Sequence, residues 1–199
     1  MYKKAIKIDN NYVFAYNNLG LCCYTHKDYN EALINFHKCI LVDDTNPIFW
    51  VNYANCLWAL KRQEEALEAY YKVRMLDPSN PDTFILLASA LDTMGQDSEL
   101  QEIVSTNLDN FAVNSADKEL KIKSEKISFL LNILGNSYFK TKDFQKSIDS
   151  LNMALEIAPD NICLHNDIIK AYNKVGDHKK IKTHTEKISK LSNKDKDND

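Results

Sequence analysis

Residues 47–80 read PIFWVNYANCLWALKRQEEALEAYYKVRMLDPSN. Trp50, Tyr53, Ala54 and Leu57 recur at three- and four-residue spacing, and Ala66, Tyr70 and Val73 do so again beyond the polar turn Lys61-Arg62. That is the period of a helix presenting one apolar face, twice in succession. Asn46-Pro47 and Asn80-Pro81 read as helix starts, with Asn as the cap and Pro in the first turn. A single helical hairpin cannot bury its apolar face alone, so this stretch predicts neighbours of the same kind stacked against it.

The neighbours are present. Segments in the same register begin at Val13, Pro47 and Pro81, 34 residues apart, and at Ser128 and Ile162, again 34 apart. Their seventh and eighth places hold Leu19-Gly20, Tyr53-Ala54, Leu87-Ala88, Leu134-Gly135 and Ile168-Ile169. The twentieth holds Ala32, Ala66, Leu100, Ser147 and Ile181, and the twenty-fourth Phe36, Tyr70, Val104, Leu151 and Thr185. Small residues at the eighth and twentieth places let paired helices approach, while larger residues at the fourth, seventh, eleventh and twenty-fourth fill the space between them. Polar turns at His26-Lys27-Asp28, Lys61-Arg62, Gly95-Gln96, Lys142-Asp143 and Gly176-Asp177 separate the two helices of each copy.

This pattern resembles the tetratricopeptide-repeat (TPR) family, whose loose signature is W-x2-L-G-x2-Y, then A-x3-F-x2-A, then P. The second copy carries Trp50, Ala66, Tyr70 and Pro78; the first, Leu19, Gly20, Ala32 and Phe36; the fourth, Leu134, Gly135, Tyr138, Ala154 and Pro159. The resemblance implies an all-α fold, a right-handed superhelical α-solenoid of antiparallel helix pairs. The expected organisation is a partial repeat at 1–12, repeats at 13–46, 47–80 and a degenerate 81–114, an insertion at 115–127, repeats at 128–161 and 162–191, and a disordered charged tail at 192–199. Forty-seven residues separate Pro81 from Ser128, so the insertion is read as a loop near Asn110–Asn114 followed by an N-terminal extension of the next helix. It serves either as a tolerated surface loop or as a partner-specific feature. The Lys- and Thr-rich stretch from His178 to Leu191 suits a terminal capping helix.

Composition narrows the function classes. The 199 residues are 44% apolar and 27% charged with a net charge of −3, which points to neither nucleic acid nor an anionic membrane. Four Gly and four Pro favour long helices over a turn-rich sheet. No run of about 18 apolar residues predicts a membrane span. The N-terminus lacks a signal-peptide core, and the five Cys form no CxxC pair, so a reducing, cytoplasmic setting is expected.

Candidate chemistry is sparse. Cys22 and His26 lie four apart on a helix, a metal-ligand spacing. However, Cys22 shares the tenth place with Cys56, and Cys23 and Cys39 occupy core places, where a thiol behaves as a small apolar group. No Gly-rich phosphate loop, H-E-x-x-H or G-x-S-x-G occurs. The expectation is a non-enzyme with no cofactor and no metal.

The resemblance implies that the first helix of each repeat lines a concave groove through its second, fifth, sixth, ninth, twelfth and thirteenth places. The first copy then offers Phe14, Asn17, Asn18, Leu21 and Tyr24, and the second Ile48, Val51, Asn52, Asn55 and Trp58. The third offers Ile85, Leu86, Ser89 and Asp92, and the fourth Phe129, Asn132, Ile133, Asn136 and Phe139. In the fifth copy the inward places fall on Asn166, Asp167, Lys170 and Lys174. An Asn amide both donates to and accepts from a peptide backbone, and Asn18 and Asn52 at the sixth place resemble the asparagine ladder of O-linked N-acetylglucosamine transferase repeats. Tyr24, Trp58 and Phe139 share the twelfth place, either as anchors for a partner or as packing against a neighbouring helix. The cationic clamp that chaperone-binding TPR domains use for the tails of Hsp70 and Hsp90 is not matched: Asn17, Leu21, Asp82 and Leu86 stand at its places, and only Asn52 fits. The expected function is an adaptor or scaffold, a subunit of a complex, binding a partner peptide or amphipathic helix. The rivals are a substrate-recruiting region of a larger enzyme, such as a glycosyltransferase, and a client-binding chaperone.

Overall fold

The computed structural model describes residues 13–78, 80–111 and 118–196. Among them are ten helices and no strand: α1 (Val13–Thr25), α2 (Tyr29–Val42), α3 (Pro47–Ala59), α4 (Gln63–Leu76), α5 (Pro81–Met94), α6 (Asp97–Phe111), α7 (Lys118–Lys140), α8 (Phe144–Ile157), α9 (Ile162–Val175) and α10 (His178–Lys196). The fold is all-α, of the helix-hairpin solenoid type. The partial repeat expected at 1–12 and residues 112–114 of the expected loop lie outside the described residues. Helix α7 starts ten residues ahead of Ser128, and α10 runs through Lys196, past the 191 at which the sequence suggests the helix ends.

Helix starts follow the local chemistry. The Asn46 side chain accepts from the Ile48 N–H at 3.0 Å, Asn80 from Asp82 at 3.0 Å and Asn161 from Cys163 at 2.9 Å. Each satisfies a first-turn donor that has no partner within the helix. The second helices are capped in the same way by Asp28, Asp143 and Asp177, but Arg62 makes no side-chain cap.

The turn inside each hairpin is the same five times over. Lys27, Lys61, Gly95, Lys142 and Gly176, all at the fifteenth place, have φ between 63° and 77°. The next N–H reaches back to the carbonyl at the eleventh place in every copy: Asp28 to Cys23, Arg62 to Leu57, Gln96 to Leu91, Asp143 to Tyr138 and Asp177 to Tyr172. This six-to-one closure through a left-handed residue is the Schellman motif. Only two copies give that residue to Gly. In the other three a lysine adopts a backbone conformation disfavoured by its Cβ.

The chain divides into two compact units, residues 1–90 and 91–199. In the first, α1 packs on α2, α2 on α3 and α3 on α4, and the two first helices α1 and α3 also touch. Its core joins Tyr16, Cys39, Ile40 and Phe49, then Ala32, Phe36 and Cys56. Gly20 is required by close approach: an added Cβ would lie 2.6 Å from the Phe36 ring. In the second unit, successive helices from α6 to α10 pack in order, and α7 touches α9. Gly135 repeats the contact of Gly20, since a Cβ there would lie 2.8 Å from Leu151 Cγ. The expectation that small residues at the eighth and twentieth places set the helix separation matches this geometry, with Ala32, Ala66 and Ser147 all fully buried.

Candidate partner-binding surface

The second place of the first helices carries an exposed apolar side chain in both units. Phe14 is 58% exposed, Ile48 60% and Phe129 50%. Leu21 is also exposed. Asn17, Asn18, Val51, Asn52, Asn55, Ile85, Leu86, Asn132 and Asn136 are half-buried. Ile133, expected to face the groove, is instead 8% exposed and belongs to the core.

The asparagines bond chiefly to their own fold. Asn52 Nδ2 donates to Asn17 Oδ1 at 2.9 Å, across the contact of α3 with α1. Asn132 Nδ2 donates to Asp167 Oδ2 at 3.0 Å, across the contact of α7 with α9. Both bonds join a fifth place to the sixth place of the following copy. In the second unit the bond grows into a network, with Asn136 donating to Asn132 and Asp167, and Lys170 Nζ bonding Asp167 Oδ1 at 2.8 Å. Burial opposes ionisation of Asp167, but the bonds from Lys170, Asn132 and Asn136 outweigh it and hold the carboxyl below the usual carboxylate range. Asn55 accepts from the Tyr70 hydroxyl at 2.7 Å. Burial pushes the Tyr70 phenol up to about 12.

The twelfth-place aromatics each pack on a ring of the second helix. Centroids are 5.2 Å apart for Tyr24 and Tyr29, 6.4 Å for Trp58 and Tyr70, and 5.6 Å for Phe139 and Phe144. All three are half-buried, so each commits one face to its own hairpin.

A cavity opens at the same register in each unit. In the first, about 390 Å³ is lined by Pro47, Ile48 and Val51 of α3, Val73 and Asp77 at the end of α4, and Asn80, Asp82, Thr83 and Leu86 at the start of α5. In the second, about 330 Å³ is lined by Glu125, Ser128, Phe129 and Asn132 of α7, Ala158 and Asn161, and Cys163 and Leu164 of α9. Seven places are shared: the first, second and fifth of one copy, its thirty-first and thirty-fourth, and the second and third of the next. Of the residues expected from sequence, Ile48, Val51 and Leu86 meet in one notch and Phe129 and Asn132 in the other. Sequence reasoning missed Asp77, Asn80 and Thr83, and Asn161 and Leu164; their signal was the same 34-residue phase, read at the junction between copies instead of along the first helix.

A further cluster joins α9 to α10. His165 Nδ1 lies 2.8 Å from His184 Nδ1, and His165 Nε2 lies 2.9 Å from the Pro159 carbonyl. Since the carbonyl only accepts, Nε2 carries the proton of a neutral His165, and its Nδ1 accepts from His184. Tyr172 stacks on His184 at 5.7 Å. Burial, His165 and Lys180 lower the His184 pKa.

The cysteines divide by environment. Cys39 and Cys56 are buried, and burial pushes both thiols up to about 11. Cys22, expected to be buried like Cys56, is exposed, whereas Cys56 donates to the Tyr29 carbonyl inside the first unit's core. His26 Nδ1 lies 2.7 Å from the Cys22 carbonyl oxygen, which engages the ring with backbone. Among the described residues no group of three or more His, Cys, Asp and Glu is placed to hold a metal, and no helix is long and apolar enough to cross a membrane.

Antiparallel hairpins closed by one recurrent turn, with first helices touching first helices, define a helical-repeat protein. Tetratricopeptide-repeat family models match residues 41–81 and 128–161. The chain therefore carries tetratricopeptide repeats in both units, which supports a protein-binding role. No curated protein matches it. Among solved structures it is similar to MamA from Desulfovibrio magneticus RS-1, with 18% identity over 92% of this chain and 96% of that one and a TM-score of 0.68. YrrB, described as a TPR protein with an unusual peptide-binding site, shows 14% identity over 96% and 91%, with a TM-score of 0.67. Pseudomonas aeruginosa PilF shows 17% identity over 96% and 81%, also with a TM-score of 0.67. At these identities the likeness concerns the fold.

Proposed function

We propose that the chain is a non-catalytic adaptor that holds a segment of a partner protein against the first-helix faces of its repeats, in the cytoplasm. The observation that supports this most is the notch that recurs at one register in both units, each with an exposed apolar side chain, Ile48 or Phe129, at its mouth. Exposed apolar side chains beside a cavity favour an occupant that removes them from water, at about 25 cal/mol per Å² of apolar surface covered. The peptide-binding site described for YrrB supports a peptide as the occupant. The internal bonds of Asn17, Asn52, Asn132 and Asn136 argue for a smaller asparagine role than a free ladder would have, and shift the energetic weight onto apolar contacts.

Substitution separates this reading from its rivals. Ile48→Ser and Phe129→Ser remove exposed groups, so the melting temperature should hold while a partner recovered by affinity purification from the native organism binds about tenfold more weakly. Retention of every recovered partner by the double variant would sink the proposal.

A further inference from the structure

Helix α10 grips its hairpin partner with little apolar surface. In α2, α4 and α8 the twenty-fourth and twenty-seventh places of the repeat are buried: Phe36 and Cys39, Tyr70 and Val73, Leu151 and Ala154. In α10 those places fall to Thr185, which is exposed, and Ile188, which is half-buried. What α10 has instead is polar: the contact of His184 with His165 of α9, and an ion pair in solvent between Lys187 and Asp160 at 2.7 Å. An exposed ion pair contributes little, so the histidine pair carries much of the polar hold on this helix.

The geometry of the pair limits how many protons it can hold. The ring centroids are 5.1 Å apart and the facing Nδ1 atoms 2.8 Å. The difference is one ring radius for each imidazole, so the two nitrogens meet head-on and the bond between them is straight. A straight contact of this length has room for one hydrogen. His165 Nε2 donates to the Pro159 carbonyl and His184 Nδ1 donates to His165 Nδ1, which engages three of the four ring nitrogens. A first added proton goes to His184 Nε2 and leaves the bond intact. A second has only His165 Nδ1 to go to, where the His184 N–H already stands. Two N–H groups cannot face each other at that distance, and His165, 5% exposed, is too buried to carry a charge with its N–H unpaired.

Charged and titratable groups face the pair from each helix packed around it. Glu156 of α8 favours a proton there, Lys180 of α10 opposes it, and Lys187 of α10 is tied to Asp160 ahead of α9. Tyr172 of α9 stacks on His184 at 5.7 Å, and its hydroxyl receives a bond from Asn152 Nδ2 of α8 at 3.3 Å. We infer that the His165–His184 pair is an acid-operated latch: it holds α10 on α9 while it carries at most one added proton, and the second proton releases α10 and uncovers Ile168 and Tyr172. Both are buried while α10 is in place. The direction follows from proton counting. With α10 released, each ring binds a proton at the ordinary imidazole value of about 6.5. Docked, the pair binds fewer, so lowering the pH through that value draws α10 away from α9.

The test is an NMR titration of the whole chain at low salt, from about pH 7.5 to about 4.5, following the histidine ring nitrogens and the backbone amides together. The Overhauser contact between the His184 and Tyr172 rings should survive the first proton uptake and vanish with the second. The amide signals of α10 should move at that second step while those of the first unit stay in place. His184→Asn offers an N–H in place of Nδ1 but takes no proton, so its α10 amides should keep their neutral-pH positions throughout. Lys180→Gln removes an exposed side chain that the docking does not need, and it should shift release to higher pH at low salt. Full charging of both rings with the ring contact intact overturns the latch. Release at an unchanged pH in either variant overturns the pair as its sensor.

Discussion

The contact between neighbouring first helices is made twice in this molecule with different materials. In the first unit it is a neutral bond, Asn52 to Asn17, and in the second it is a carboxylate, Asp167, held by Asn132, Asn136 and Lys170. The places in the repeat are identical, so the backbone geometry does not depend on which pair is used. What differs is the response to solution conditions. A neutral amide pair is indifferent to pH, whereas a carboxylate stabilised in its charged form contributes only while ionised. Repeats of one fold can thus be tuned separately, place by place.

The largest expected effect probes the close packing that both units share. Gly20→Ala should destabilise by about 2 kcal/mol and Gly135→Ala by less, because the added methyl would lie 2.6 Å from the Phe36 ring in one case and 2.8 Å from Leu151 Cγ in the other, both side chains being fully buried. Phe36→Leu, which copies the second unit, should recover part of the first loss. Denaturant titration measures all three, and equal losses would mean that the ring moves as easily as the leucine.

Next comes acid. The Asp167 pKa is lowered in the folded state, so its contribution is present above the unfolded value of about 3.9 and is lost as pH falls through the folded value. Melting temperature followed from neutral pH into this range should decline, and Asp167→Asn should flatten the decline. Asn52→Asp should introduce such a dependence into the first unit.

Histidine sets a second, milder window. The His184 pKa is lowered, so the unfolded chain takes up a proton near 6.5 that the folded chain refuses until lower pH, and stability falls as pH drops below that value. The effect should be local to α10, where His184 meets His165 and Tyr172, with Lys180, Lys187 and Glu156 lining the same surface. Amide exchange in α10, corrected for intrinsic rate, should speed up between pH 7 and about 5.5, and His184→Gln should remove the change. Exchange that is equally pH-dependent in the variant would dismiss the pair as its origin.

The smallest effect concerns the turn. Lys61→Gly and Lys142→Gly should each stabilise by about 0.5–1 kcal/mol, since glycine removes the left-handed penalty but adds freedom to the unfolded chain. Gly95 and Gly176 serve as the internal reference. A loss on thermal melting would show that the lysine side chains contribute more than their backbone costs.

Much of this architecture could be read from residues. The 34-residue phase placed the helices, Asn-Pro placed two of their starts, and Gly20 and Gly135 announced close approach by standing at the eighth place of their copies. The lysine turns could be read as turns but not as left-handed ones, since lysine carries no signal for positive φ. The surface was harder. Periodicity says which places face inward but not what they touch, so Asn17 and Asn52 looked like two open amides when each is the other's partner. Ile133 went to the core, and His165 found its counterpart nineteen residues away on another helix, where no local pattern points.

One thiol per unit stands in solvent, Cys22 in the first and Cys163 in the second, while Cys39 and Cys56 are shielded and hard to ionise. Nature has therefore supplied a pair of attachment points for spectroscopic probes without any engineered cysteine. A spin label on each would report the spacing of the two halves in solution, and the label on Cys163, at the wall of a notch, would feel an incoming guest as a change in its own motion.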